Sequence, residues 1–284
     1  MKLKDDLGTY AENTWCPGCG NFGILQSIQK AIRALEEKGY SRNDFAISAG
    51  IGCHGKIWDY LRLHGLYSLH GRPTATVQGM KTANPDLKVI AFSGDGDALG
   101  EGISHTIFAA KRNTDMTLVV HNNETYALTT GQSSPTSEKG YKSPSTPRGN
   151  PEEPLNPLTL ILSANATFVA RVFPGKMNHM VETLVKAIEH EGFSFVDVLQ
   201  PAVAYKDTWS YFRKNTEIIE NNGDDYEKAM QLAKKKDSLP IGILYQNNEK
   251  EPYHKALYGD NNPVKNSLSR EERLRKIREI LNSM

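Results

Sequence analysis

The chain has 284 residues, 38% of them hydrophobic, enough to bury a sizeable core in one large or two small domains and too apolar for global disorder. Its 34 Lys and Arg against 33 Asp and Glu leave a net charge of +1, so neither a nucleic-acid partner nor a membrane surface is expected. No apolar run approaches the ~18 residues of a membrane span, and MKLKDDLGTY lacks the apolar stretch of a secretory signal, so a cytoplasmic protein is expected.

Three cysteines, Cys16 and Cys19 in a C-x-x-C and Cys53 apart, argue against a disulfide framework and for metal or redox use. Ile24, Leu25, Ile28, Ile32 and Leu35 recur at helical spacing, and Gly39 stops that helix. Phe45 to Gly50 reads as a short buried strand that feeds the loop Gly50 to Gly55. Leu87 to Phe92 is a second apolar strand, ending in Ser93-Gly94-Asp95-Gly96-Asp97; Gly102 to Lys111 follows as a helix and Met116 to His121 as a third strand. Asn178 to His190 is helical and Phe195 to Leu199 is a late strand. This succession predicts an α/β fold built on a doubly wound, mostly parallel sheet.

Ser133 to Pro157 carries six prolines among Ser, Thr and Gly and reads as a surface loop ordered by its contacts, a lid or an interface arm. Asn221 to Ser238 is charge-rich, and Leu239 to Tyr245 is a short apolar run. Ser269-Arg270-Glu271-Glu272 is a capping box opening a last helix with the apolar stripe Leu274, Ile277 and Leu281. That stripe is expected to pack on its own domain, with a partner contact as the alternative.

In an open α/β sheet ligands bind at the carboxyl ends of strands, which is where Gly94-Asp95-Gly96-Asp97 falls. Glycines 94, 96 and 100 miss the G-x-G-x-x-G dinucleotide fingerprint, and no P-loop sequence occurs. An aspartate between two glycines suits a hard divalent cation such as Mg2+, which can join Asp95 to a diphosphate but needs further oxygens. Asn122-Asn123-Glu124-Thr125-Tyr126 begins after 25 residues intervening from Gly96, at the end of the next strand, where an amide oxygen would sit beside Asp95.

The paired motif resembles that of thiamine diphosphate enzymes. The likeness extends further: Trp15-Cys16-Pro17-Gly18-Cys19-Gly20-Asn21, Gly50-Ile51-Gly52-Cys53, Leu69-His70-Gly71-Arg72, the GDGD loop, Asn123 to Gln132 and Leu199-Gln200-Pro201 resemble, in this order, the β subunit of 2-oxoacid:ferredoxin oxidoreductases. The resemblance implies a thiamine diphosphate-binding domain over residues 1–205 and a C-terminal extension, 206–284, ending in an interface arm. It implies Asp95, the Asn123 side chain and the Thr125 carbonyl as Mg2+ ligands. Ile51, Gly52, Cys53, His54 and His70 would line the cofactor from one side, and Gly94, Gly96, Asp97, Ala127 and Leu128 from the other. His70 and Thr130 are the implied catalytic residues. Thr130 stands where other members carry lysine or glycine, so a charged anchor for a dicarboxylic oxoacid is missing. Pyruvate, 2-oxobutyrate, 2-oxoglutarate and branched or aryl oxoacids all stay open as substrates.

Cys16, Cys19 and Cys53 are the implied ligands of an iron–sulfur cluster, four-iron in the family, whose fourth thiolate comes from a Q-P-C motif. This chain has Gln200-Pro201-Ala202 instead. A non-cysteine fourth ligand, a three-iron cluster or a labile site are the three possibilities. A structural zinc ion is the weaker alternative, because a closed zinc site takes four ligands. The implied reaction converts a 2-oxoacid and coenzyme A to acyl-CoA and CO2, with electrons passing through the cluster to ferredoxin. It implies a heterodimer with an α subunit, which supplies the glutamate that bonds the aminopyrimidine ring. The competing readings are a non-redox thiamine diphosphate decarboxylase and a non-catalytic metal-binding subunit that keeps the scaffold.

Overall fold

The computed structural model describes residues 7–259, 261–265 and 268–283, so the first six residues of the opening segment MKLKDDLGTY lie outside it. Helix α1 (Gly20–Glu37) buries Ile24, Ile28, Ala31, Ile32 and Leu35 on one face, as its spacing predicts. Then come β1 (Phe45–Ala49), the single turn α2 (Ile57–Tyr60), β2 (His64–Tyr67), α3 (Pro73–Ala83), β3 (Lys88–Gly94), α4 (Ile103–Arg112) and β4 (Met116–Asn122). After the proline-rich loop follow α5 (Pro157–Ser163), β5 (Phe168–Val172), α6 (Met177–Glu189) and β6 (Phe193–Leu199). The remainder forms α7 (Trp209–Asn215), β7 (Thr216–Ile218), α8 (Tyr226–Ala233), β8 (Leu239–Gln246), α9 (Tyr253–Tyr258) and α10 (Arg270–Ser283).

The strands make one eight-stranded sheet in the order β2-β1-β3-β4-β6-β5-β8-β7. Every pairing is parallel except β5 with β8. Strands β1, β4, β5 and β6 are buried at every position, the pattern of a sheet covered on both faces. Side chains alternate between the two layers, as a period of two requires. Phe45, Ile47, Ile90, Phe92 and Val119 share a core with Ile24 and Ile28 of α1 and with Met180 and Leu184 of α6. Ala46, Val89, Ala91, Leu118 and Val120 share the opposite core with Val77 of α3, Ala109 of α4 and Leu158 of α5. Because β1, β3, β4 and β6 run the same way side by side, the loops that leave their carboxyl ends meet along one edge.

Several elements escape a periodicity reading. Edge strand β2 is mostly exposed, and β5 carries Arg171, which is buried only because its Nε lies 2.8 Å from Asp197 Oδ2. Helix α5 begins at Pro157, the last proline of the expected loop, with Asn156 as its N-cap. The expected capping box opens α10: Ser269 N–H donates to Glu272 Oε2 (2.8 Å) and Glu272 N–H to Ser269 Oγ (3.2 Å). Packing of its stripe on the domain is not found, since Leu274, Ile277 and Leu281 are all exposed. Among the described residues no helix is long and apolar enough to cross a membrane.

His190, at the end of α6, is buried with Nε2 2.8 Å from Thr167 Oγ1 and Nδ1 3.1 Å from Asn248 Oδ1. Burial holds its pKa below the ordinary value of 6.5. The unfolded chain therefore takes up this proton at a higher pH than the native one, and stability falls as the pH drops through that value. His190→Gln is expected to flatten the decline in urea-unfolding midpoint between about pH 7.5 and about pH 5.5. An unchanged decline would show that other groups carry it.

Candidate active site

The edge where the loops meet is organised around Asp97, whose carboxylate is 2% exposed. Its Oδ1 accepts the N–H groups of Gly71 (2.7 Å) and Ile51 (3.2 Å), and its Oδ2 accepts the Ser93 hydroxyl (2.5 Å). His70 Nδ1 lies 3.0 Å from Oδ1 and His54 Nε2 lies 3.4 Å from Oδ2. Burial opposes the charge, but His54, Ser93 and the Gly71 amide outweigh it and hold the carboxyl below its ordinary pKa. Two glycines make this possible. A Cβ on Gly50 would stand 1.9 Å from Asp97 Oδ2, and Gly71 adopts φ +73° with a Cβ position only 2.5 Å from the Glu101 carbonyl carbon. One carboxylate thus fastens the loops after β1, β2 and β3. Asp97→Asn, which keeps the shape and removes the charge, is expected to lower stability by about 3 kcal/mol in urea unfolding; a loss below about 1 kcal/mol would refute the role.

Asp95, also 2% exposed, faces differently. The hydroxyls of Ser134 and Thr136 both donate to its Oδ2, at 2.5 and 2.6 Å, and among the described residues no other side chain donates to Oδ1. Burial pushes its pKa up to about 6. Both hydroxyls come from the proline-rich loop, and sequence reasoning missed them; the one signal was the hydroxyl-dense Ser133-Ser134-Pro135-Thr136-Ser137 at its start. Across the cleft, Asn123 Oδ1 accepts the Thr125 N–H (3.2 Å), while the Asn122 amide turns away to donate to Asp197 Oδ1 (3.0 Å). Between them Glu124 sits at φ +57°, a conformation disfavoured for a side-chain-bearing residue and held here by an ion pair with Lys206. Lys206 also reaches Glu138 of the proline-rich loop at 3.4 Å.

Asp95, Asn123 and Thr125 border one cleft of about 70 Å3. Ile51, Gly52, Cys53 and His54 line it from the β1 loop, and Gly94, Gly96 and Asp97 from the β3 loop. Ala127 and Leu128 close the far side, and His70 stands at the mouth with 37% of its side chain exposed. Thr130 is not brought there: it is exposed, at φ +79°, and outside the lining. Tyr126 and Thr129 line the cleft in its place. The Tyr126 ring lies 6.2 Å from that of His70, and burial pushes its hydroxyl pKa up to about 12.

A second cavity, of about 220 Å3, adjoins the first. Cys16, Cys19, Cys53, Gln200 and Ala202 all line it, so the fold brings the Q-P-A loop to the three thiols. Cys53, Asn123, Ala127 and Leu128 line both cavities and form the wall between them. All three cysteines are free; burial pushes the Cys19 thiol up to about 11 and raises that of Cys53 as well. Among the described residues no three His, Cys, Asp or Glu side chains converge tightly enough to hold a single ion. Thiols spread around one cavity suit a cluster, where each thiolate takes its own iron, better than a zinc ion. His54 lines the cofactor cleft and not the cysteine cavity.

Residues 50–198 match the thiamine pyrophosphate enzyme, C-terminal TPP binding domain family, and residues 205–260 match the C-terminal family of the pyruvate ferredoxin oxidoreductase beta subunit. The chain belongs to the β-subunit family of 2-oxoacid:ferredoxin oxidoreductases. It is 41% identical over 276 residues to the 2-oxoacid:ferredoxin oxidoreductase subunit beta of Saccharolobus solfataricus, covering 89% of this chain and 90% of that one. It is also 41% identical over 202 residues to the 2-oxoglutarate oxidoreductase subunit KorB of Mycobacterium tuberculosis, covering 71% of this chain and 53% of that one. Among solved structures it resembles a 2-oxoglutarate:ferredoxin oxidoreductase from Magnetococcus marinus with 2-oxoglutarate, coenzyme A and succinyl-CoA bound. The TM-score is 0.84 at 35% identity, over 98% of this chain and 90% of that one.

Proposed function

We propose that this chain, paired with an α subunit, holds thiamine diphosphate through Mg2+ and carries an iron–sulfur cluster beside it. In that complex it converts a 2-oxoacid and coenzyme A to acyl-CoA and CO2, delivering the two electrons one at a time to ferredoxin. The observation that supports this most is the shared wall. A cleft bordered by both halves of the diphosphate motif and a cavity bordered by all three cysteines are separated only by Cys53, Asn123, Ala127 and Leu128. A non-redox decarboxylase would have no use for the second cavity.

Asp95 Oδ1, the Asn123 amide oxygen and the Thr125 carbonyl are the hard oxygen donors that would hold Mg2+ against a diphosphate. Thiamine diphosphate, when bound, supplies the carbon that takes up the oxoacid carbonyl and stores the electrons left by CO2. Asp97 holds the His70 ring at the mouth, where substrate would enter, with Nδ1 3.0 Å from its Oδ1. Ala127 and Leu128 keep water from the inner cleft. The carboxylates lining the cleft are Asp95 and Asp97, both already engaged, which supports a carboxyl group for the aminopyrimidine ring supplied by the α subunit. We assign residues 1–205 to the cofactor-binding unit and 206–284 to an extension; the exposed stripe of α10 suits contact with another subunit.

Asp95→Ala is expected to abolish Mg2+-dependent binding of thiamine diphosphate to the α–β complex, measured by titration calorimetry, with native circular dichroism. Unchanged affinity would remove the metal assignment. Ala202 is buried beside the cysteines and its methyl cannot ligate, so one iron would depend on water or another donor and exchange easily. Electron paramagnetic resonance is expected to show a three-iron signal growing in air in the native complex and suppressed in Ala202→Cys. Identical air-stable four-iron signals in both would place Ala202 away from the open iron.

A further inference from the structure

Cys19 differs from the other two thiols in what surrounds its sulfur. Cys16 is exposed and Cys53 half-buried, whereas Cys19 is buried, with its Sγ 3.4 Å from Gln200 Nε2. Gln200 is itself 1% exposed, and its backbone N–H donates to the Asn122 carbonyl at the end of β4 (2.9 Å). Its Nε2 also donates to the Pro201 carbonyl at 2.7 Å. That bond fixes the amide's orientation, because a flipped amide would set one oxygen against another. One hydrogen of the NH2 group is therefore spent on Pro201, and the other faces the Cys19 sulfur. The Pro201 carbonyl accepts the Gly20 N–H as well (3.0 Å), which locks the start of α1, and Cys19 with it, to the same loop. Among the described residues Gln200 Oε1 is buried without a partner, so the bonds this side chain makes to them run through its nitrogen.

Resting on the assignment of Cys19 as a cluster ligand, we infer that Gln200 is a positioning residue that raises the reduction potential of the cluster by donating an N–H to the Cys19 sulfur. Ligation removes the thiol proton and leaves Sγ a negatively charged acceptor. Sulfur carries more negative charge when the cluster is reduced, so an N–H aimed at it stabilises the reduced state more than the oxidised one. Burial strengthens the effect, because water does not compete for the sulfur and the local dielectric is low. Cys16 is exposed and lacks this burial.

The test uses the α–β complex with its cluster loaded, and reads the midpoint potential by redox titration followed with electron paramagnetic resonance. Gln200→Met removes the N–H with little change of shape, and Gln200→Glu replaces the NH2 with a carboxylate oxygen. The midpoint is expected to move to more negative potential in the Met variant and further in the Glu variant, at unchanged iron and acid-labile sulfide content. A midpoint unmoved in both, with intact clusters, overturns the role of Gln200 and leaves the cluster assignment standing. A native complex without iron and sulfide overturns the cluster assignment, and the inference with it. Should the variants fail to assemble, the native complex decides. With heavy nitrogen in its glutamine side-chain amides, pulsed resonance of the reduced cluster is expected to show a coupled side-chain nitrogen, and absence of that coupling overturns the inference.

Discussion

A single buried carboxylate carries the geometry of this site. Asp97 gathers two backbone amides, a serine hydroxyl and two imidazoles from the segments at and beyond the ends of β1, β2 and β3, which the sheet alone does not hold together. Parallel strands deliver loop ends to one edge, but they do not decide how the loops close on one another. The charge does that here, and it survives burial because every group around it donates or can donate a proton. The β1 loop that bears Cys53 is among those tied down, so the position of a thiol in one cavity depends on a carboxylate in the other.

The strands that build this edge were legible because they are short and apolar, and β1 and β3 are followed by glycine-rich loops. Both halves of the diphosphate motif could be read from Gly94 to Asp97 and from Asn122 to Tyr126, and each falls at a strand end in the fold. What was not legible depends on pairings between distant positions. Arg171 disguises β5 because its partner Asp197 lies 26 positions away, and β2 shows no alternation because one side of it has no neighbouring strand. Ser134 and Thr136 reach Asp95 across 39 and 41 positions, from a loop whose composition announces irregularity but not its destination. Thr130 lies outside the cleft lining for a related reason: its place in a family pattern says nothing of its left-handed backbone or its exposure.

The wall between the two cavities puts unusual demands on few atoms. Asn123 borders both the Asp95 cleft and the cysteine cavity, and Ala127, which also borders both, has only a methyl with which to separate them. A larger side chain at 127 would fill both spaces at once. Lys206 extends this coupling outward, since it pairs with Glu124 in the loop after β4 while its backbone bridges Ala202, which lines the cysteine cavity. The proline-rich loop joins the same assembly through Glu138.

Strand β8 runs antiparallel to β5 and carries β7 on its far side, so the sheet that supports the cofactor edge is completed by residues well beyond 205. Without them β5 would be an outermost strand, with the unpaired N–H and C=O groups of Phe168 to Val172 open to any extended segment that came near. Unpaired edges of that kind seed chain-to-chain association. The segment after 205 therefore acts as a stopper on strand growth, and a fragment cut before it would meet other copies of itself as a template for polymerisation.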